Sequence, residues 1–221
     1  MPRIGVPADV AAIRTALAEA LNIECEDGKR VGDAKFGVYA FYDFDGEPIY
    51  VGQTSEKLRV RIRRHLTNHR TDAVAMNVLD PFEVLEVEMW PLWHLPDLSP
   101  KDAGQYLNAA EYTVFQKLLV ASSFHAVLNE KDMAEANPVE LPSSVRAYII
   151  PEVLRDSRKH PDVRIARRAG TIASLSKVIS ERDVSPGLRR TLHTQSRRLE
   201  RLASIRFAEF AADPIKTESE D

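Results

Sequence analysis

Gly37-Val38-Tyr39-Ala40-Phe41-Tyr42-Asp43-Phe44-Asp45-Gly46-Glu47-Pro48-Ile49-Tyr50-Val51-Gly52 is the stretch on which the reading of this chain turns. Two apolar patches, Gly37-Val38-Tyr39 and Tyr50-Val51-Gly52, each set a glycine and a tyrosine around a β-branched residue, which is strand chemistry. Asp45-Gly46 between them is a strong hairpin signal. The stretch predicts a β-hairpin, Phe36 to Tyr42 and Pro48 to Val51, that carries Tyr39 and Tyr50 into one neighbourhood.

Upstream, Val10, Ile13, Leu17, Ala20 and Leu21 fall at helical spacing and predict a helix over 7–22. Downstream, Leu58, Ile62 and Leu66 form the apolar stripe of a basic amphipathic helix over 56–69. Phe82 to Leu92 alternates and reads as a third strand. Ser99-Pro100-Lys101-Asp102 has the order of a helix start, with serine as cap, proline first and an acid in the first turn, and predicts a helix to about residue 120. Phe124 to Leu128 reads as a short extended piece. Helices are expected over 143–157, 162–182 and 186–210, the last two joined by Ser185-Pro186-Gly187 as a helical hairpin.

The net charge of −3 conceals an asymmetry. Residues 1–150 carry 15 Lys/Arg and 22 Asp/Glu, whereas residues 151–210 carry 14 and 7. A basic segment on an acidic body implies either a polyanion contact or a basic arm folded onto its own acidic domain. The single cysteine, Cys25, excludes an internal disulfide framework and fits a reducing cytoplasm. The start of the chain lacks the apolar core of a secretion signal, and no apolar run is long enough to span a bilayer.

Several residues could carry chemistry. Arg61 and His65 are four apart on the basic helix and flank its apolar stripe, which places them at the edge of the core near the tyrosines. Arg59, Arg63 and Arg64 point elsewhere, to solvent or phosphate. Glu111 falls within the apolar face of Leu107, Ala110, Val114, Phe115 and Leu118. A carboxylate there must be paired, protonated or metal-bound, and a buried salt bridge weighs as heavily as a metal. Asn129 ends an apolar extended run, a weak signal by itself. His65 and His69 have the spacing of a helical zinc pair without the glutamate or cysteines that usually complete one. Arg190, Arg197 and Arg201 share one helix face and could meet phosphates, or else pair with acids of the body.

Taken together, Gly-Val-Tyr, Tyr-Val-Gly, an arginine eleven residues on, a histidine four after that, a helical glutamate and a downstream asparagine resemble the GIY-YIG nuclease domain. Val38 stands where isoleucine is commoner. The resemblance implies an α+β fold in which a small mixed or antiparallel three-stranded sheet is flanked by helices. It divides the chain into an N-terminal helical extension (1–35), the nuclease core (36–130), a linker (131–142), a basic helical accessory region (143–210) and a disordered acidic tail (211–221).

The resemblance also implies hydrolysis of DNA phosphodiester bonds with one Mg²⁺ or Mn²⁺ per site. Glu111 would bind the metal, Arg61 would hold the scissile phosphate, and Tyr39 would help deprotonate the attacking water. A free phenol titrates near ~10, so Tyr39 needs a neighbour, and His65 would accept or relay the proton. Tyr50 would orient water or phosphate, and Asn129 would brace the site. Outside the resemblance, the basic faces themselves make Arg59, Arg63 and Arg64, and Arg190, Arg197 and Arg201 of the C-terminal helices, the expected nucleic-acid contacts. Restriction or defence is the expected role; a palindromic target would suggest a dimer, and the sequence leaves the oligomeric state open. The competing expectations are a non-catalytic nucleic-acid-binding protein that keeps the fold, and a nuclease acting on RNA or single-stranded DNA.

Overall fold

The computed structural model of the protein describes residues 8–67, 79–129 and 133–212. His69, and residues 213–221 of the acidic tail expected over 211–221, lie outside them; residues 211 and 212 instead extend the last helix, which runs Pro186–Ala212. The described elements are α1 (Ala8–Ala20), β1 (Gly37–Tyr42), β2 (Pro48–Thr54), α2 (Leu58–Thr67), β3 (Glu86–Pro91), α3 (Pro100–Ala121), β4 (Val145–Tyr148), α4 (Glu152–Lys159), α5 (Pro161–Glu181) and α6 (Pro186–Ala212). The fold is α+β around one antiparallel sheet in the order β2-β1-β3-β4.

β1 lies between β2 and β3 and is buried along its whole length. Successive side chains of a strand point to opposite faces. Tyr39 and Phe41 enter a core shared with Leu58 and Ile62 of α2 and Leu17 of α1. Val38, Ala40 and Tyr42 enter a second core shared with Leu107, Ala110, Val114 and Leu118 of α3. Helices on both faces leave no polar side to β1, which accounts for its nearly unbroken apolar sequence.

Asp45-Gly46 sits in a five-residue loop rather than a two-residue turn. Asp43 Oδ1 accepts the backbone N–H groups of Asp45 (2.8 Å) and Glu47 (3.0 Å), and Gly46 takes the left-handed conformation at φ +75°. Beyond the loop the register shifts between Phe41 and Tyr42, leaving Ile49 as an extra residue in β2.

The sheet has four strands, not the three expected. Residues 145–148, expected to begin a helix over 143–157, instead pair with β3, Val87 opposite Ala147 and Glu88 opposite Arg146. Val145 and Ala147 pack on the core while Arg146 and Tyr148 stay exposed, a period of two that decides for strand. The helix begins only after Pro151, at Glu152. The third strand, read over Phe82 to Leu92, is shorter than expected: Asp80 accepts from the N–H of Phe82 and Pro81 opens a 3-10 turn over Pro81–Glu83, so β3 begins only at Glu86. Phe124 and His125, read as extended, lie in a turn in which His125 has φ +49°. α3 starts as read, with Ser99 Oγ accepting from the N–H of Asp102 at 3.2 Å.

α5 and α6 run antiparallel, with Asp162 bonded to Arg206 and Arg168 bonded to the carbonyl of Arg198. Leu175 and Leu188 join the α2-side core. Three arginines of this hairpin are buried against the β1–β2 loop. Arg164 makes a bidentate pair with Asp45 (2.7 and 2.5 Å), Arg168 bonds Asp43 (2.8 Å), and Arg198 lies 3.7 Å from Asp43 and bonds the carbonyl of Pro48 (3.1 Å). No helix among the described residues is long and apolar enough to cross a membrane.

Candidate active site at the free edge of the sheet

β2 is an edge strand, so every second residue turns an N–H and a C=O away from the sheet and needs other partners. At Ile49 the carbonyl accepts from Leu128 N–H at 3.0 Å. At Val51 the side chain of Asn129 serves both groups, Oδ1 accepting from N–H (3.0 Å) and Nδ2 donating to C=O (2.8 Å). At Gln53 the N–H is directed to the carboxylate of Glu111 on α3. The edge thus presents, in order, Leu128, Asn129 and Glu111.

The two glycines of the quoted stretch are steric requirements. A Cβ on Gly52 would lie 2.6 Å from the hydroxyl of Tyr39, its cross-strand partner, and 2.8 Å from the ring of Tyr50. A Cβ on Gly37 would meet Leu58 and the carbonyl of Trp90 at 2.9 Å. Without those side chains, Tyr39 lies flat under β2 and α2 seats close to the sheet.

Tyr39 is fully buried, and its hydroxyl has no hydrogen-bond partner among the described residues. Its ring is 5.9 Å from His65 and 6.2 Å from Tyr50, and Tyr50 and His65 are 5.2 Å apart. Burial drives the Tyr39 pKa well above the ordinary phenol value, Tyr50 adds to this, and Arg61 pulls the other way. Burial disfavours the charge of Arg61, but Tyr39, Tyr50 and Glu56 outweigh it and hold its pKa above the usual value. The Arg61 Nε is buried and without a hydrogen bond among the described residues. His65 is also buried, both ring nitrogens lack partners there, and burial together with Arg61 and Arg64 pushes its pKa down to about 4. It is a neutral imidazole at neutral pH.

Glu111 is half-buried, and no salt bridge reaches it among the described residues. Burial raises its pKa to about 7, against the opposing pull of Arg61 and of the Gln53 backbone. A carboxyl desolvated this far, with a guanidinium acting only from a distance, is under-compensated. A hydrated divalent cation suits such a lone carboxylate, since Mg²⁺ keeps several of its waters. Glu111 fits that group as its one protein ligand, and no cluster of three metal-binding side chains occurs among the described residues.

Tyr39, Tyr50, Arg61, His65 and Glu111 are thus gathered along β2, Tyr39 opposite Gly52, Glu111 at Gln53, and Tyr50 two residues before Gly52 with His65 beside its ring. Residues 35–100 match the family model of the GIY-YIG catalytic domain. A GIY-YIG domain indicates a nuclease, and a nuclease implies a nucleic-acid substrate. The match takes in Tyr39, Tyr50, Arg61 and His65 and stops before Glu111 and Asn129. No curated protein and no solved structure matches the chain.

Among the six arginines read as nucleic-acid contacts, Arg59 and Arg64 of the segment matched by the GIY-YIG model are engaged with acidic and carbonyl groups of the chain. Arg59 reaches Asp33 (3.1 Å), Asn22 (3.3 Å) and the carbonyl of Leu21 (3.4 Å), and Arg64 bonds Glu56. Arg63, Arg190, Arg197 and Arg201 are exposed. Sequence reasoning missed the pair Gln53 and Asn108. Gln53 Nε2 donates to Asn108 Oδ1 at 2.7 Å, tying β2 to α3 one turn before Glu111, while Gln53 Oε1 is buried without a partner among the described residues. A signal existed, because Asn108 precedes Glu111 by three and so shares its helix face.

Proposed function

We propose that the chain is a divalent-metal-dependent endonuclease that hydrolyses DNA phosphodiester bonds, acting in restriction or defence. The observation that carries this reading is the convergence of Tyr39, Arg61 and Glu111 about Gly52 and Gln53, with Glu111 half-buried and lacking a salt bridge among the described residues. The cation held by Glu111 would supply positive charge at the leaving oxygen. Arg61, whose guanidinium stays charged, holds the scissile phosphate and meets the charge that grows on it.

Tyr39 orients the attacking water. As a neutral buried phenol it becomes a base only when nearby positive charge lowers its pKa, and Arg61 is the group of this chain that acts in that direction. His65, neutral and with unpartnered nitrogens, is the acceptor beside it. Tyr50 orients the water or phosphate from the other side, and Asn129 holds the edge strand. The water oxygen bonds to phosphorus, the bond to the leaving strand breaks, and the leaving oxygen takes a proton from solvent.

The test is to incubate the protein with plasmid, single-stranded DNA and RNA, in Mg²⁺ and in EDTA. Cleavage of plasmid in Mg²⁺ alone is expected. Cleavage confined to RNA would reassign the substrate, and no cleavage of any substrate would remove the enzymatic reading.

A further inference from the structure

The basic hairpin α5–α6 divides its arginines into two groups. Arg164, Arg168 and Arg198 are buried and neutralised by Asp43, Asp45, Glu47 and Glu83. Arg197 and Arg201 are exposed and have no carboxylate within salt-bridge distance among the described residues. Both guanidiniums stand over one ring, Phe124, at 5.5 and 5.6 Å from its centroid, with Arg198 at 5.4 Å on the same ring. An aromatic face holding cations fixes their positions at small entropic cost and leaves their outward N–H groups available.

Phe124 is itself tied to the start of β2. Glu47 accepts from Ser122 Oγ (2.7 Å) and Ser123 N–H (3.0 Å), Phe124 N–H bonds Ser122 Oγ (3.2 Å), and the chain then follows the free edge through Leu128 to Asn129. The Phe124 platform therefore lies at the Pro48 end of this strand edge and Glu111 at its Gln53 end. From Pro48 to Gln53 that edge rises roughly 17 Å at ~3.3 Å per residue, which is about five base pairs of duplex at ~3.4 Å each.

We propose that Arg197 and Arg201, carried on Phe124, are a second phosphate grip that holds nucleic acid about five base pairs from the bond to be cut. The inference rests on the nuclease reading for its substrate, but it is a statement about binding. Acidic pairing removes Arg164, Arg168 and Arg198 from any such surface, so the grip uses only the outward side of α6.

The experiment is a salt titration of duplex DNA binding without metal, read by fluorescence anisotropy. It compares wild type, Arg197→Gln/Arg201→Gln, Arg197→Lys/Arg201→Lys, and Arg182→Gln as an exposed control away from Phe124. The double glutamine variant is expected to lower the slope of log affinity against log salt by about 1.8 and to bind at least about tenfold more weakly near ~0.1 M salt. The double lysine variant should keep the wild-type slope, and Arg182→Gln should change nothing. An unchanged slope in the glutamine variant, an equal loss in Arg182→Gln, or no binding by wild type to duplex, single strand or RNA would overturn the grip. Wild-type binding with the expected loss, but no cleavage in Mg²⁺, would remove the nuclease reading and leave the grip standing.

Discussion

The side-chain amide of Asn129 closes on both backbone groups of Val51, at 3.0 and 2.8 Å, one ladder position before the N–H of Gln53 that faces Glu111. Asn129 therefore fixes the strand from which the Glu111 carboxylate is held. Asn129→Ala leaves an N–H and a C=O of a half-covered edge unpaired and is expected to cost about 1–3 kcal/mol in urea unfolding. Asn129→Asp keeps the acceptor, loses the donor and should fall between the two. Equal stability of wild type and the alanine variant would mean that water replaces the amide and that the edge needs no brace.

Gly52→Ala would place a methyl group 2.6 Å from the Tyr39 hydroxyl. Tyr39 is fully enclosed, so the strain should cost about 1–3 kcal/mol and depress cleavage. Adding Tyr39→Phe removes the nearest atom and should restore part of the stability while activity stays lost, a non-additivity that a double-mutant cycle measures. Strictly additive stabilities would contradict the packing described.

Arg168 and Asp43 are both buried and bonded to each other. Removing one partner of such a pair leaves an uncompensated charge, so Arg168→Met is expected to destabilise by about 3–5 kcal/mol in denaturant unfolding. A variant as stable as wild type would show the α5–α6 hairpin to be a dispensable appendage.

The pairing of Arg168 and Asp43 marks the limit of what the sequence reveals. The β1–β2 hairpin, the capped start of α3 and the place of Glu111 on the apolar face of its helix depend on neighbours within a few turns, so local pattern reached them. Arg168 and Asp43 are 125 residues apart, and a charged helix face looks the same whether water or a distant acid answers it. Of the two fates considered for the basic segment, Arg164, Arg168 and Arg198 took the one in which it folds onto its own acids. β4 was missed for a related reason. Four residues are too few to separate alternation from helical spacing, and their partner strand lies some sixty residues back. The helix face that Asn108 shares with Glu111 was legible, but its partner Gln53 needed the β2–α3 contact, which no motif encodes.

His65 sets a dependence on pH. Its folded pKa, about 4, lies below the ordinary value of 6.5, so below about pH 6.5 the unfolded chain takes up a proton that the folded protein refuses. The contribution to stability is complete above that value and is lost as pH falls toward 4. Between about pH 7 and about pH 5 wild type should lose about 2 kcal/mol more than His65→Phe, measured by urea unfolding at both values. Parallel losses in the two proteins would mean that His65 gains a partner which stabilises its proton.

Glu111 is the most direct test of the account. The measurement is single-turnover cleavage of DNA by Glu111→Gln beside wild type, with melting temperature and duplex affinity determined on the same samples. The variant keeps the shape of the side chain and removes its charge, so it is expected to melt no lower than wild type, bind duplex with similar affinity and cleave at least about a thousandfold more slowly. Cleavage within about tenfold of wild type, with folding and binding unchanged, would contradict the placement of the metal at Glu111 and with it the site drawn at the edge of β2.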